Sequence, residues 1–101
     1  MDEPLRIAAA AAEAALSTRG VHSLGSGRYA EAATYGAGEK VLGVVIRPEE
    51  VEVHVVALYS PAPEYGSLQE LARKVGERVS EHAGGREVSV VVDDVAEVEE
   101  P

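Results

Sequence analysis

The chain has 101 residues, 18 Asp plus Glu against 9 Lys plus Arg, and a formal net charge of −9. At this length one core is the natural count, and 46% hydrophobic residues make the chain globular rather than disordered. The acidic balance excludes a nucleic-acid binder, which needs clustered Lys and Arg, and disfavours adhesion to anionic lipid.

The first expected element is a helix over about Pro4 to Ser17. Asp2 and Glu3 sit where the helix dipole favours negative charge, and Pro4 suits the first turn. Leu5, Ala8, Ala12 and Leu16 mark a stripe with Ile7 and Ala11 beside it; a stripe made mostly of Ala allows close approach to a sheet. Gly20 ends the helix. Residues 20–40 read as a long Gly-rich loop, with Val21 and Leu24 tucked under the helix and a short helical turn near Glu31 to Ala33.

Two strands follow, 40–47 (KVLGVVIR) and 51–60 (VEVHVVALYS), joined by a turn at Pro48 as a hairpin. In the second, Val51, Val53, Val55 and Tyr59 share one face and Glu52, His54, Val56 and Leu58 the other. A Pro-containing break at 61–67 precedes the best-marked helix. There Ser67 and Glu70 form a capping box, and Leu68, Leu71, Ala72, Val75 and Val79 share a face. Arg73, Lys74, Glu77, Arg78 and Glu81 lie on its solvent side, and Gly84 and Gly85 stop it. A third strand, 86–95, closes the domain.

The order α-β-β-α-β predicts an α+β fold, a two-layer sandwich in which two helices cover one face of a three-stranded sheet. One domain is expected over 1–96, with an acidic tail over 97–101 that frays.

No enzyme signature emerges. Gly25-Ser26-Gly27-Arg28-Tyr29-Ala30 fits a dinucleotide fingerprint on paper, but it follows a helix and leads into a loop, where the mechanism requires a strand before and a helix after. Gly36-Ala37-Gly38-Glu39-Lys40 lacks the spacing of a phosphate loop. His22, His54 and His82 have no metal-ligand spacing between them; His82 suits a helix C-terminus and His54 reads as exposed. Asp93 and Asp94, as neighbours on a strand, should point to opposite faces and read as a solvated strand end. Ser60 has no nucleophile elbow around it. The lack of Cys removes disulfides, thiolate metal sites and a Cys nucleophile, and fits a cytoplasmic location. No catalytic residue, cofactor or metal is expected. No apolar run is long enough to span a bilayer, and Asp2, Glu3 and Glu13 disqualify the Ala-rich opening as a secretory signal, so direct membrane insertion is not expected.

The feature that stands out is the sheet face turned away from the helices. It carries His54, Val56 and Leu58, with Val91 and one alternating set around Leu42, Val44 and Ile46 or their neighbours. A half-apolar open face suggests docking; folding of the 20–40 loop over it is the competing reading, and that loop has few large apolar groups. The interaction-face candidates are therefore His54, Val56, Leu58 and Val91.

The ordered set of segments resembles the bacterial alkaline shock protein family, also called the envelope stress response family, in its actinobacterial form. The resemblance spans about residues 5–96. It begins in LRIAAAAAEAAL with the following Gly20-Val21 and Leu24, and runs through GRYAEAATYGAGEKVLGVVI and VEVHVVALYSPAPE to LQELARKVGERVSEHAGGREVSVVVDDV. Where the family's second strand is usually followed by Tyr-Gly, Tyr59 is followed here by Ser60. The resemblance implies a non-enzymatic cytoplasmic protein of envelope and alkaline stress. It would be a small scaffold or adaptor forming homo-oligomers and joined to the membrane through an integral membrane protein partner. The alternative is a small-molecule-binding or enzymatic domain that uses the 20–40 loop as a lid, with Arg28, Tyr29, Tyr35 and His54 as its polar set.

Overall fold

The computed structural model describes residues 3–27, 32–59 and 67–97. Helix α1 (Glu3–Leu16) leads into strand β1 (Val21–Leu24), a hairpin of β2 (Ala33–Gly36) and β3 (Glu39–Leu42), then β4 (Val44–Ile46) and β5 (Glu50–Tyr59). Helix α2 (Leu68–Ser80) returns the chain to β6 (Glu87–Glu97).

The fold is α+β, but the main sheet has four strands and not the expected three. Antiparallel β1 and β4 lie end to end along one side of β5: β1 pairs with Val55 to Ala57, and β4 with Val51 to Val53. Parallel β6 runs along the other side from Glu87 opposite Glu50 to Glu97 opposite Tyr59. The hairpin expected between the first two strands, 40–47 and 51–60, is present as β4–β5, closed by Arg47 N donating to Glu50 O at 2.8 Å.

Two sequence expectations fail for identifiable reasons. Residues 40–47 do not form one strand, because Gly43 (φ +88°) adopts a left-handed conformation that turns β3 out of the sheet. A Cβ there would also lie 2.8 Å from both Gly25 O and Leu24 Cβ, so glycine is needed for space as well as for φ. The 20–40 segment is not a long loop: Val21–Leu24 is an edge strand, and β2 and β3 make a hairpin of their own, Ala33 pairing with Leu42 and Gly36 with Glu39. Ala33 is thus in a strand rather than a helical turn, while Glu31 lies outside the described residues.

The core is built on one face of β5. Val51, Val53, Val55 and Ala57 are fully buried and cluster with Ala8, Ala11, Ala12 and Ala15 of α1 and with Leu71, Val75 and Val79 of α2. Val88, Val90 and Val92 of β6 pack against the same cluster. Both helices therefore lie on this face. The largest fully buried side chains are all Val. Each is worth about 1.5–3 kcal/mol of burial, so close helix–sheet approach across the Ala stripe has to compensate for the lack of aromatic bulk. That stripe is rotated from its expected position: Ala11 and Ala15 are buried and Leu16 is exposed, as Leu68 is at the start of α2.

The helix ends follow from local chemistry. Ser67 Oγ accepts from Glu70 N at 3.1 Å, the N-cap half of the expected box. Gly84 and Gly85, both at positive φ, carry the chain out of α2 towards β6. Arg78 Nη1 donates to Ser17 O at 3.2 Å, placing a cation on the carbonyl end of α1. Strand β6 continues through Glu97, two residues beyond its expected end; residues 98–101 lie outside the described part.

Candidate functional site

Alternation along β5 turns Glu52, His54, Val56 and Leu58 away from the helices. Val45 stands across from Glu52 on β4, and Val91 beside His54 on β6. Of the expected docking set around Leu42, Val44 and Ile46, only the neighbour Val45 is on this face. Val44 is buried with Val53, Ile46 packs on the core, and Leu42 belongs to the β2–β3 hairpin. Val45, Val56, Leu58 and Val91 are each half-buried.

His54 occupies the centre of this face and is not the exposed residue the sequence suggests: it is only 8% exposed. Its Nε2 lies 2.6 Å from Glu52 Oε2 and its Nδ1 lies 2.9 Å from Asp93 Oδ1. The other oxygen of Asp93 accepts from Gly27 N at 2.8 Å. The other oxygen of Glu52 accepts from Arg47 Nη1 at 3.2 Å, and that guanidinium also pairs with Glu50 at 3.1 Å. A continuous polar chain thus runs from the loop after β1, over the sheet, to the β4–β5 turn.

The loop reaches the chain by crossing β5. Gly25 N donates to His54 O at 2.8 Å on the β1 side of that strand, and two residues later Gly27 reaches Asp93 on the β6 side. Residues 25–27 therefore cover His54 and leave Val56, Leu58 and Val91 partly open. Gly25 is required by contact: a Cβ there would overlap the Asp93 carboxylate and lie 2.9 Å from its Cγ. Gly27 is required by conformation, at φ +83°. A groove of about 590 Å³ opens beside the crossing, lined by Leu24, Val56 and Val92, and its charged groups are Asp93 and Asp94.

The geometry favours the doubly protonated ring. With a carboxylate oxygen at each nitrogen, both contacts are hydrogen bonds only when both nitrogens carry a proton. Burial is the largest single influence on His54 and pulls its pKa down. The hydrogen bonds to Asp93 and Glu52, with their charges, outweigh it and hold the pKa above its ordinary 6.5. Glu52 is held below its ordinary 4.5, first by its hydrogen bond to His54; partial burial opposes this, and Arg47 adds to it. Counting Glu50, Arg47, Glu52, His54⁺ and Asp93, the two cations offset two of the three carboxylates and the chain carries one net negative charge.

Such a histidine has no free nitrogen with which to take a proton from a nucleophile, so the arrangement is not an acyl-transfer triad. Both nitrogens are likewise occupied against metal binding, and among the described residues no group of three His, Asp or Glu is disposed to hold an ion. What the network can do is fasten the 25–27 segment to the sheet. Among the described residues His22 bonds the neighbouring Ser23 alone, and His82 is exposed beyond α2. Of the lid-like polar set, Tyr35 is exposed on the outer side of the hairpin, and Arg28 and Tyr29 lie outside the described residues.

Among the interaction-face candidates, Val56, Leu58 and Val91 come together on the open face. His54 shares the face, but covered and doubly paired it fastens the loop and offers no contact surface. Sequence reasoning missed Glu52, Asp93, Gly25, Gly27 and Arg47. The i, i+2 spacing of Glu52 and His54 was a usable signal for one of these pairings. No helix among the described residues is long and apolar enough to cross a membrane. No family model matches the chain, and no curated protein or solved structure matches it.

Proposed function

We propose that this protein is a non-enzymatic adaptor of the alkaline shock protein type, cytoplasmic, self-associating, and attached to the membrane through an integral membrane protein partner. The observation that carries the reading is the open sheet face. Val45, Val56, Leu58 and Val91 lie half-buried on the side without helices, around a charge network in which the cations offset most of the carboxylates. The occupant of this face is a second copy. An apolar patch whose charges are mostly compensated pairs with itself at little like-charge cost, whereas most of the net −9 lies elsewhere on the molecule. The resemblance along residues 5–96 supports the same class, and the doubly paired His54 speaks against catalysis.

Sedimentation velocity from low to high micromolar concentration tests the reading. The expected result is concentration-dependent association at physiological salt that Val56→Glu and Leu58→Glu each abolish while circular dichroism stays unchanged. A strictly monomeric protein at high micromolar concentration, indifferent to both substitutions, would refute it.

A further inference from the structure

Strand β6 presents an edge that no other described strand uses. Among the described residues it pairs with β5 alone, so its other side runs 11 residues without a neighbour. In a parallel ladder a residue directs both its N–H and its C=O to one side, and the next residue directs both to the other. Glu87 N donates to Glu49 O at 3.0 Å, on the β5 side. Alternation therefore sends Ser89 and Val91 inward with Glu87, and turns the backbone groups of Val88, Val90 and Val92 outward. Beyond the irregularity near Asp93 the edge closes on itself, because Asp94 Oδ1 accepts from Val95 N at 2.8 Å. The open stretch is Val88 to Val92, about 13 Å long.

The charge along the strand itself is one-signed. Glu87 stands at one end and Asp94 and Glu97 at the other, with no Lys or Arg from 87 to 97. Asp93 is already committed to His54 and Gly27. Arg86, next along the chain, is turned to the carbonyls of Arg47 and Ala83 at 2.9 and 3.2 Å. Two copies paired antiparallel about Val90 would bring Glu87 of each beside the Asp93–Asp94 pair of the other, and since only Asp93 is compensated, by His54, Glu87 meets the like charge of Asp94 at both ends. Self-pairing is disfavoured here, unlike on the open face, where most of the charge is compensated.

We infer that the β6 edge binds an extended basic segment of a partner protein by strand addition. That segment has an uncharged, β-branched centre of about five residues, matched to Val88–Val92, and Lys or Arg on both flanks, matched to Glu87 and to Asp94 and Glu97. Backbone hydrogen bonds from three outward residues supply the docking, and the flanking carboxylates select the sign of the partner. The inference rests on the adaptor reading and names the surface on which the adaptor holds its partner, distinct from the face on which it holds itself.

The test uses the full chain labelled with ¹⁵N and the capped peptide Lys-Lys-Val-Thr-Val-Thr-Val-Lys-Lys, with a control in which every Lys is Glu. In the free protein the amides of Val88, Val90 and Val92 should exchange quickly and those of Ser89 and Val91 slowly. Saturation with the Lys peptide should slow the first three by about tenfold or more, and the Glu peptide should do nothing. The double variant Glu87→Lys/Asp94→Lys leaves the core untouched and should weaken the Lys peptide by about tenfold, with a marked salt dependence in the parent. Three results would overturn the inference: no protection at millimolar peptide, protection that appears on concentrating the protein alone, or peptide-induced shifts at Val56 and Leu58 with the edge amides unchanged. The last would move the partner to the open face and leave the adaptor reading intact; loss of the adaptor reading itself shows separately, in sedimentation.

Discussion

The carboxylate-flanked histidine makes a pH dependence that Asp93→Asn should remove. In the folded protein His54 holds its proton to a pH above 6.5, so its contribution to stability is complete below 6.5 and is lost as pH rises through the folded pKa. Glu52 acts in the opposite sense: its contribution is complete above 4.5 and is lost as pH falls through its depressed pKa. The network is therefore at full strength from pH 4.5 to 6.5. Above that window the folded state carries a proton the unfolded chain has released, and stability falls with a slope of at most about 1.4 kcal/mol per pH unit.

In Asp93→Asn the side chain keeps one acceptor where two donors, Gly27 N–H and His54 Nδ1–H, converge. One must go unpaired while the ring is charged. The loss of a charge-assisted bond at a carboxylate only 18% exposed should cost about 1.5–3 kcal/mol at pH 6, or roughly 10 °C in Tm. Once the ring is neutral, the amide can donate to the bare Nδ1 while Nε2–H still serves Glu52, and much of the deficit disappears. Urea unfolding followed by circular dichroism from pH 5.5 to 9, with the His54 ring followed by NMR, reads both curves. Wild-type stability that is level or rising between pH 6.5 and 8.5 would refute the reasoning, as would a deficit of equal size at pH 6 and pH 8.5.

Two further substitutions test the segment that crosses β5. Gly25→Ala places a methyl against the Asp93 carboxylate, and should cost about 1–3 kcal/mol in urea unfolding and return the His54 titration towards its ordinary value; an unaltered His54 titration would show that the carboxylate had not been displaced. Gly43→Ala meets Gly25 O and Leu24 Cβ at 2.8 Å in addition to its positive φ, whereas Gly38→Ala, at φ +74°, meets nothing within 4 Å. The Gly38 variant should therefore lose only the conformational cost of about 1–2 kcal/mol, and the Gly43 variant clearly more.

What the sequence made legible followed from periodicity. The alternation Val51-Glu52-Val53-His54-Val55-Val56 separates core from open face correctly, and the Leu71, Val75, Val79 spacing places α2. Elements held by neighbours were not legible. Val21–Leu24 and Ala33–Gly36 are four-residue strands with little apolar content, and each becomes a strand through pairing: β1 with β5, β2 with β3. The run from Lys40 to Arg47 reads as one strand because nothing local announces that Gly43 will take positive φ; the turn follows from Gly43 N donating to Ala32 O while Gly43 O accepts from His54 N, both at 2.8 Å. In α1, a stripe of Ala constrains rotation weakly, and packing chose Ala15 over Leu16.

The adjoining acids Asp93 and Asp94 show most clearly how a local rule was right in form and wrong in outcome. Strict alternation from Val92, which faces the helices, would put Asp93 on the open face and Asp94 back among the helices, where a carboxylate has no partner. The register shift in β6 prevents this. Val55 pairs with Val92 and Val56 with Asp94, so Asp93 is the extra residue of a bulge, and Val95 returns to the row of Ala57. Both carboxylates thereby stay off the core. One turns back to His54 and fastens the loop, and the other caps Val95 N–H and closes the strand edge. A single inserted residue thus sets the boundary between the His54 network and the open edge, which is why the two can serve different contacts on one small sheet.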